Sequence, residues 1–373
     1  MRDPRYTVAL LDWLACAAGG RDEPAARAAR QLGDPVVLAG TSGHVLDFDD
    51  TYLAGIAHLS APTAPAALVV AAKLGLTAGD ALEAFAEGFE AMAAVARASH
   101  PALYDNGWHP TAVCGGVGAA VAAAVLLDSP RDDAVAIALL RAGGLQAAFG
   151  SDGKSLQVGL AAASGVAAAR LARAGARVSL DEAGAGFQQA TGGSYAEPGG
   201  RGAPLAIANN WIKAWPCCLQ THGAIEAADR LDGDAPGDLC VTAHPVSLLA
   251  AGYGPEPADG LQAKFSIPYL TAYTLRHGPP TVESFAGVDA AVAERAKSIA
   301  VDADASLLES EFVLSGGGAE LVRVTAALGS PQQPMDAAAL RAKVERLGGA
   351  ELAGALDDLD RPAGDLLELA GIA

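Results

Sequence analysis

Along the first half of the chain, apolar residues recur at the three- and four-residue steps of helices. From Leu82 through Phe85, Phe89, Met92 and Ala96 the larger side chains fall on one helical stripe, with Thr77 and Asp80 placed to cap it. Residues 111–127 and 157–174 are nearly continuous small and apolar runs. They are too long for strands and predict helices enclosed on every side. Glycines within them (Gly115, Gly116, Gly118, Gly159, Gly165) cost helix propensity, which points to backbones in close approach. The pattern changes at Gly192–Pro204, a glycine-rich stretch read as an exposed loop. Beyond it, short β-like runs near Leu239–Ala243, Ser298–Asp302 and Leu321–Ala327 alternate with helical segments at Ala224–Leu231 and Val288–Lys297. After Pro331–Pro334 helical periodicity returns with Asp336–Leu347. The expected fold is mainly α with an α+β second domain. A large helical domain spans 1–212, with 332–373 returning to it, and a smaller α+β domain spans 213–331.

Composition narrows the classes. Of 373 residues 51% are hydrophobic, only 5% aromatic and 18% charged, with 44 glycines, which favours close-packed helices over a β-sandwich. Twenty-five basic against 43 acidic residues leave a formal charge of −18. That field excludes nucleic acid and anionic lipid as partners. The five cysteines are odd in number, scattered and without a C-x-x-C pair, which argues for a reducing compartment and against disulfides or structural zinc. Val8–Ala18 with Ala15-Cys16-Ala17 imitates a signal peptide, but Asp12 interrupts the apolar run and Asp3 spoils a basic start. The uncharged stretch Gly107–Leu127 approaches membrane-spanning length, yet it is built of Ala, Gly and Val and lacks a basic anchor. It reads as a core helix, and the chain as cytoplasmic with no membrane partner.

Three groups of residues carry candidate chemistry. In His44-Val-Leu-Asp-Phe-Asp-Asp-Thr51, a helix would place His44, Asp47 and Thr51 on one face and turn Asp49 and Asp50 elsewhere. The plain structural reading is a solvated acidic helix end. The D-x-D-x-T spacing, with Gly233-Asp234 and Asp238, imitates haloacid-dehalogenase-type phosphatases, but no strand precedes either motif. An aspartate-rich Mg-diphosphate site lacks its second metal-binding run, since Asn209-Asn210-Trp-Ile-Lys213 does not supply one. No metal is expected. His58 and His109 each lie just before prolines that start a helix. A helix N-terminus attracts anions and keeps an imidazole neutral, so each can be a base as well as a cap. Lysines are only six, and two have unusual surroundings. Lys154 lies in Gly150-Ser-Asp-Gly-Lys154 ahead of an apolar helix, and Lys213 lies between two tryptophans. Each is either a structural ion pair or a clamp for a substrate carboxylate. In Lys264-Phe-Ser-Ile-Pro-Tyr269 the tyrosine follows a proline break and is either a core aromatic or a proton donor.

These segments resemble the MmgE/PrpD family, which includes 2-methylcitrate dehydratase, cis-aconitate decarboxylase and iminodisuccinate epimerase. The resemblance is carried by His44–Thr51 with His58, Gly107-Trp-His-Pro-Thr111, Gly150–Lys154, Lys213-Ala-Trp-Pro-Cys-Cys218 with Thr221-His222, and Phe265–Tyr269, in the family's order. It implies a helical domain built from both chain ends, an inserted α+β lid, a homodimer, and a cofactor-free active site between domains. By motif match the pocket residues fall on Asp47, Thr51, His58, His109, Lys154, Lys213 and Tyr269. Ser155, Gln157, Leu160 and Leu219 stand where members acting on tricarboxylates often carry basic or histidine residues, and Leu59 stands where proline is common. Fewer cations point to a substrate with fewer carboxylates, unless loops supply Arg97, Arg141 or Arg201.

The implied chemistry is α-proton abstraction from a small carboxylic acid. Lys154 and Lys213 hold a carboxylate and stabilise enolate-like charge. One of His58 and His109 takes the proton, and the other, or Tyr269, protonates the leaving group. Asp47 orients a histidine and Thr51 binds substrate. Dehydration of a 2-methylcitrate-like hydroxy acid ranks first, decarboxylation second and epimerisation third. A homologue that binds a carboxylate or a protein partner without catalysis is the alternative of another class.

Overall fold

A computed structural model describes residues 3–199, 204–232 and 237–373. Part of the glycine-rich stretch, including Arg201, and the Gly233-Asp234 pair lie outside the described residues. Helices dominate, and the described four-stranded sheet lies in the C-terminal half, so the fold is mainly α with an α+β part. The chain divides into two compact units. One comprises Met1–Ala148, Asp152–Ile212 and Asp336–Ala373, and the other Phe149–Ser151 and Lys213–Met335.

In the first unit the helix Ala78–Ser99 starts where its capping chemistry allows. The Asp80 amide donates to Thr77 Oγ1 at 3.1 Å and the Thr77 amide donates to Asp80 Oδ2 at 3.0 Å, a reciprocal capping box. The helix Pro110–Leu127 is buried nearly throughout and packs against Ser60–Lys73, Ala78–Ser99 and Gly153–Arg173. Although it is long and apolar enough to cross a membrane, 89% of that window is buried within the protein. Its neighbours approach closely because side chains are missing where backbones meet. A Cβ built on Gly165 would lie 2.4 Å from the Gly116 carbonyl oxygen and 2.7 Å from the Ala120 amide nitrogen. Gly165→Ala is therefore expected to separate the two helices and destabilise the unit by about 1–3 kcal/mol. Urea unfolding checks this; an unchanged midpoint would show that the contact has slack.

The C-terminal helix Ala337–Gly348, N-capped by Asp336, is tied to the N-terminal region by a buried cation. Lys343 Nζ lies 2.6 Å from Asp12 Oδ1, donates to the Phe48 carbonyl at 2.8 Å, and sits 3.8 Å from the centre of the Phe48 ring. These contacts hold the segment that follows His44.

The second unit is built on a mixed sheet of β3 (Cys240–Ala243), β4 (Ala300–Ala303), β5 (Phe312–Gly316) and β6 (Ala319–Val324), ordered β4-β3-β5-β6. The first pair is parallel and the other two are antiparallel. The interior strand β5 escapes the sequence reading because Phe-Val-Leu is too short a run to stand out. Its partner β6 starts two residues earlier than the apolar run at Leu321, right after the turn. Gly317 and Gly318, with φ of 59° and 77°, close the hairpin between them. Two short strands, β1 (Thr51–Tyr52) and β2 (Asn210–Trp211), pair antiparallel in the helical unit.

Candidate functional site

The segment expected to be one helix through Thr51 is not one. The helix Pro35–His44, capped by Asp34, ends at His44, and the chain turns through Asp47 in the left-handed region at φ 55°. Aspartate is among the few non-glycine residues that enter this region without a large cost. Helical spacing is lost there, so His44, Asp47 and Thr51 do not share a helix face, and Thr51 enters β1 opposite Trp211. Asp49, which a helix would turn away, becomes the meeting point of two imidazoles.

His44 Nδ1 lies 2.8 Å from Asp49 Oδ2, and His58 Nδ1 lies 3.2 Å from the same oxygen. The His44 ring stands edge-on to His58 with centroids 4.5 Å apart and stacks on His109 at 6.0 Å. Asp49 is fully buried. Burial pushes its carboxyl up, but the two imidazoles outweigh this and hold it well below the usual carboxylate range. Burial lowers His44, offset in part by Asp49. Burial lowers His109 too, and the Lys154 ammonium drives it further down, so this ring stays neutral.

Asp47 was expected to orient a histidine, but its nearest charged contact is a lysine. Asp47 Oδ1 is 3.1 Å from Lys154 Nζ and 3.8 Å from His58 Nε2. The physical reason lies in the helix Gly153–Arg173. An ammonium in its first turn opposes the helix dipole and calls for a carboxylate. Position also fixes His58 and His109. The His58 amide donates to Thr111 Oγ1 at 3.1 Å, and His109 is the N-cap of Pro110–Leu127. Thr51 Oγ1 is buried with no hydrogen-bond partner among the described residues, a hydroxyl left over for a ligand.

Thus Asp47, Thr51, His58, His109 and Lys154 all stand in the helical unit, where ion pairs join Asp47 to Lys154 and to His58. Lys213 and Tyr269 belong to the second unit. Lys213 opens it, with 1% of its surface exposed. Tyr269 lies in the helix Ile267–His277, and its hydroxyl accepts the Asp289 amide at 2.9 Å.

Sequence reasoning passed over three participants. Asp49 was turned away by the assumed helix, and His44 was placed on its face with Asp47 and Thr51 but given no role. Gln157, noticed only as a departure from basic residues, lies 2.6 Å from His109 Nδ1 through its Nε2. A fourth buried group, Asp50, accepts from the Ser60 amide at 3.1 Å and from the Ser60 hydroxyl and Asn210 Nδ2 at 2.7 Å. Donor atoms of His44, Asp49 and His58 lie within 4.8 Å of one another, close enough to ligate a metal ion. His44 Nδ1 hydrogen-bonds Asp49 Oδ2, and His58 Nδ1 stands at ion-pair distance from the same oxygen.

Comparison with known proteins adds a frame. A model of the MmgE/PrpD N-terminal domain matches residues 34–195, and one of the MmgE/PrpD C-terminal domain matches residues 215–356. The chain is similar to a cis-aconitate decarboxylase of Aspergillus terreus, 29% identical over 279 residues, covering 65% of this chain and 57% of that protein. A protein of the same name from A. terreus strain NIH 2624 is 28% identical over the same coverage. The chain thus spans 57% of the length of these curated relatives.

Proposed function

The chain belongs to the MmgE/PrpD family, and from that premise we propose that it is a cofactor-independent lyase that removes an α-proton from a small carboxylic acid. The observation that carries this reading is the cluster in the helical unit. A buried ammonium and the His44 and His58 imidazoles are held around Asp47 and Asp49. His109 stacks on His44, and Thr51 adds a buried hydroxyl four residues along the chain from Asp47. The Lys154 ammonium is buried 3.1 Å from Asp47, and a substrate carboxylate can pair with it in place of Asp47. The ammonium then stabilises the charge that develops as the proton leaves. One of the imidazoles receives the proton, and Thr51 binds the acid.

Dehydration of a 2-methylcitrate-like hydroxy acid is the first reading. Decarboxylation is the second, supported by the names of the two Aspergillus relatives. Dehydration reaches a carbanion-like intermediate by losing the α-proton and decarboxylation reaches one by losing CO₂, and the same ammonium can stabilise either. Proton NMR in deuterated water with a panel of 2-hydroxy di- and tricarboxylates and cis-aconitate tests the proposal. Loss of water, loss of CO₂ or α-proton exchange each identifies a branch. No change with any acid, in protein shown to be folded, would sink the lyase reading in favour of a carboxylate-binding homologue. Activity is expected to survive dialysis against a chelator.

A further inference from the structure

The carboxamide of Gln157 has only one orientation that its surroundings accept. Its Oε1 accepts the Leu145 amide at 3.0 Å and its Nε2 donates to the Leu145 carbonyl at 3.2 Å. Turning the amide over would set oxygen against oxygen and N–H against N–H. With the orientation fixed, the nitrogen 2.6 Å from His109 Nδ1 is Nε2, which can donate and cannot accept. His109 Nδ1 must then be the acceptor, and the ring proton sits on Nε2. The backbone leaves the ring little choice of place, because the His109 amide donates to the Gly144 carbonyl at 3.0 Å and Pro110 follows in the first turn of a helix. At His58 the situation is opposite. Its two ring nitrogens both face carboxylates, Nδ1 at 3.2 Å from Asp49 and Nε2 at 3.8 Å from Asp47. The nearer carboxylate, the ionised Asp49, draws the proton to Nδ1 and leaves the lone pair on Nε2.

We propose that Gln157 is a positioning residue that holds His109 as the neutral Nε2–H tautomer, so that His109 donates a hydrogen bond to the developing charge while His58 abstracts the proton. This rests on the lyase reading above. In the step, the substrate Cα–H bond breaks and its electron pair enters the carboxylate-conjugated carbanion. His58 Nε2 gains the proton, and the resulting imidazolium faces Asp49. His109 keeps its own proton throughout, as a neutral imidazole does when it serves as an electrophile. It is thereby barred from acting as the base, since its Nε2 lone pair does not exist and its Nδ1 is occupied by Gln157.

Long-range ¹H–¹⁵N correlation spectra of histidine-labelled protein at neutral pH read the tautomer directly. The seven histidines include His109, assigned by the signal missing from His109→Gln. The wild-type ring is expected as pure Nε2–H. An Nδ1–H or doubly protonated His109 overturns the proposal, and this arm needs no variant to be active. In Gln157→Leu the donor is gone, so His109 should show the averaged shifts of two exchanging tautomers while the other six signals hold. Its kcat for α-proton exchange should fall at least tenfold with KM within about threefold. Pure Nε2–H in that variant, or unchanged exchange, removes Gln157 from the role. An Nε2–H ring in a protein that acts on no acid in the panel would instead leave the tautomer standing and fell the lyase reading.

Discussion

His109→Ala is expected to lower kcat for any acid the protein turns over by about 10²–10³-fold, or roughly 3–4 kcal/mol, with a small change in KM. The size follows from removing one preorganised donor to developing charge in a buried site. His109 is almost fully buried, and burial and Lys154 both keep it neutral, so no charge is lost with the ring. The proposed pairing of a substrate carboxylate with Lys154 is left in place, which is why the loss should appear in kcat and not in KM. The helix that His109 caps is already started by Pro110, so the fold should survive the substitution. Stopped assays of initial rate across substrate concentration, alongside circular dichroism, check both halves. Turnover retained within threefold in a folded variant would remove His109 from the chemistry.

The pattern of small residues made the helical architecture legible, because a run such as 111–127 cannot hide as a strand. Of the two caps offered, Thr77 is the N-cap and Asp80 completes its capping box three residues on. What the pattern could not show is where a helix stops without proline or glycine. After His44 the chain departs through Asp47 at positive φ, and no residue of the His44–Thr51 stretch announces it. That single turn exchanged the roles of two carboxylates. Asp47 went to the ammonium and Asp49 to the imidazoles. Strand β5 was missed for a related reason, since its burial comes from neighbours on both sides that only the folded sheet provides. Gln157 was invisible as a participant because its meaning depends on Leu145, twelve residues away, which fixes the amide. Long-range partners, not residue types, were the missing information.

The aspartate left out of this chemistry carries a cost that can be measured. Asp50 is fully buried, and burial together with the neighbouring Asp49 charge raises its carboxyl to about 7, against the hydrogen bonds from Ser60 and Asn210. The unfolded chain titrates near 3.8. Between those values the folded protein holds a proton that the unfolded chain has lost, so the contribution of Asp50 to stability falls as pH rises and levels off above about 7. The interval from 3.8 to about 7 corresponds to a penalty of order 4 kcal/mol at about 1.4 kcal/mol per pH unit. Asp50→Asn removes the ionisation and can keep the polar contacts. Its oxygen still accepts the Ser60 amide, and Asn210, whose Oδ1 is buried without a hydrogen-bond partner among the described residues, can turn over to accept the new amide. The variant is expected to unfold at higher urea than the wild type at pH 8, by about 2 kcal/mol or more once imperfect hydrogen bonding is set against the gain. At pH 5 the advantage should vanish or reverse, because the wild-type carboxyl is then protonated in the fold. A difference between the two proteins that is the same at pH 5 and pH 8 would show that Asp50 is not carrying this charge. Asp49 and Asp50 thus differ as adjacent buried acids: imidazoles keep the first ionised, while burial, with the first's charge added, favours a proton on the second.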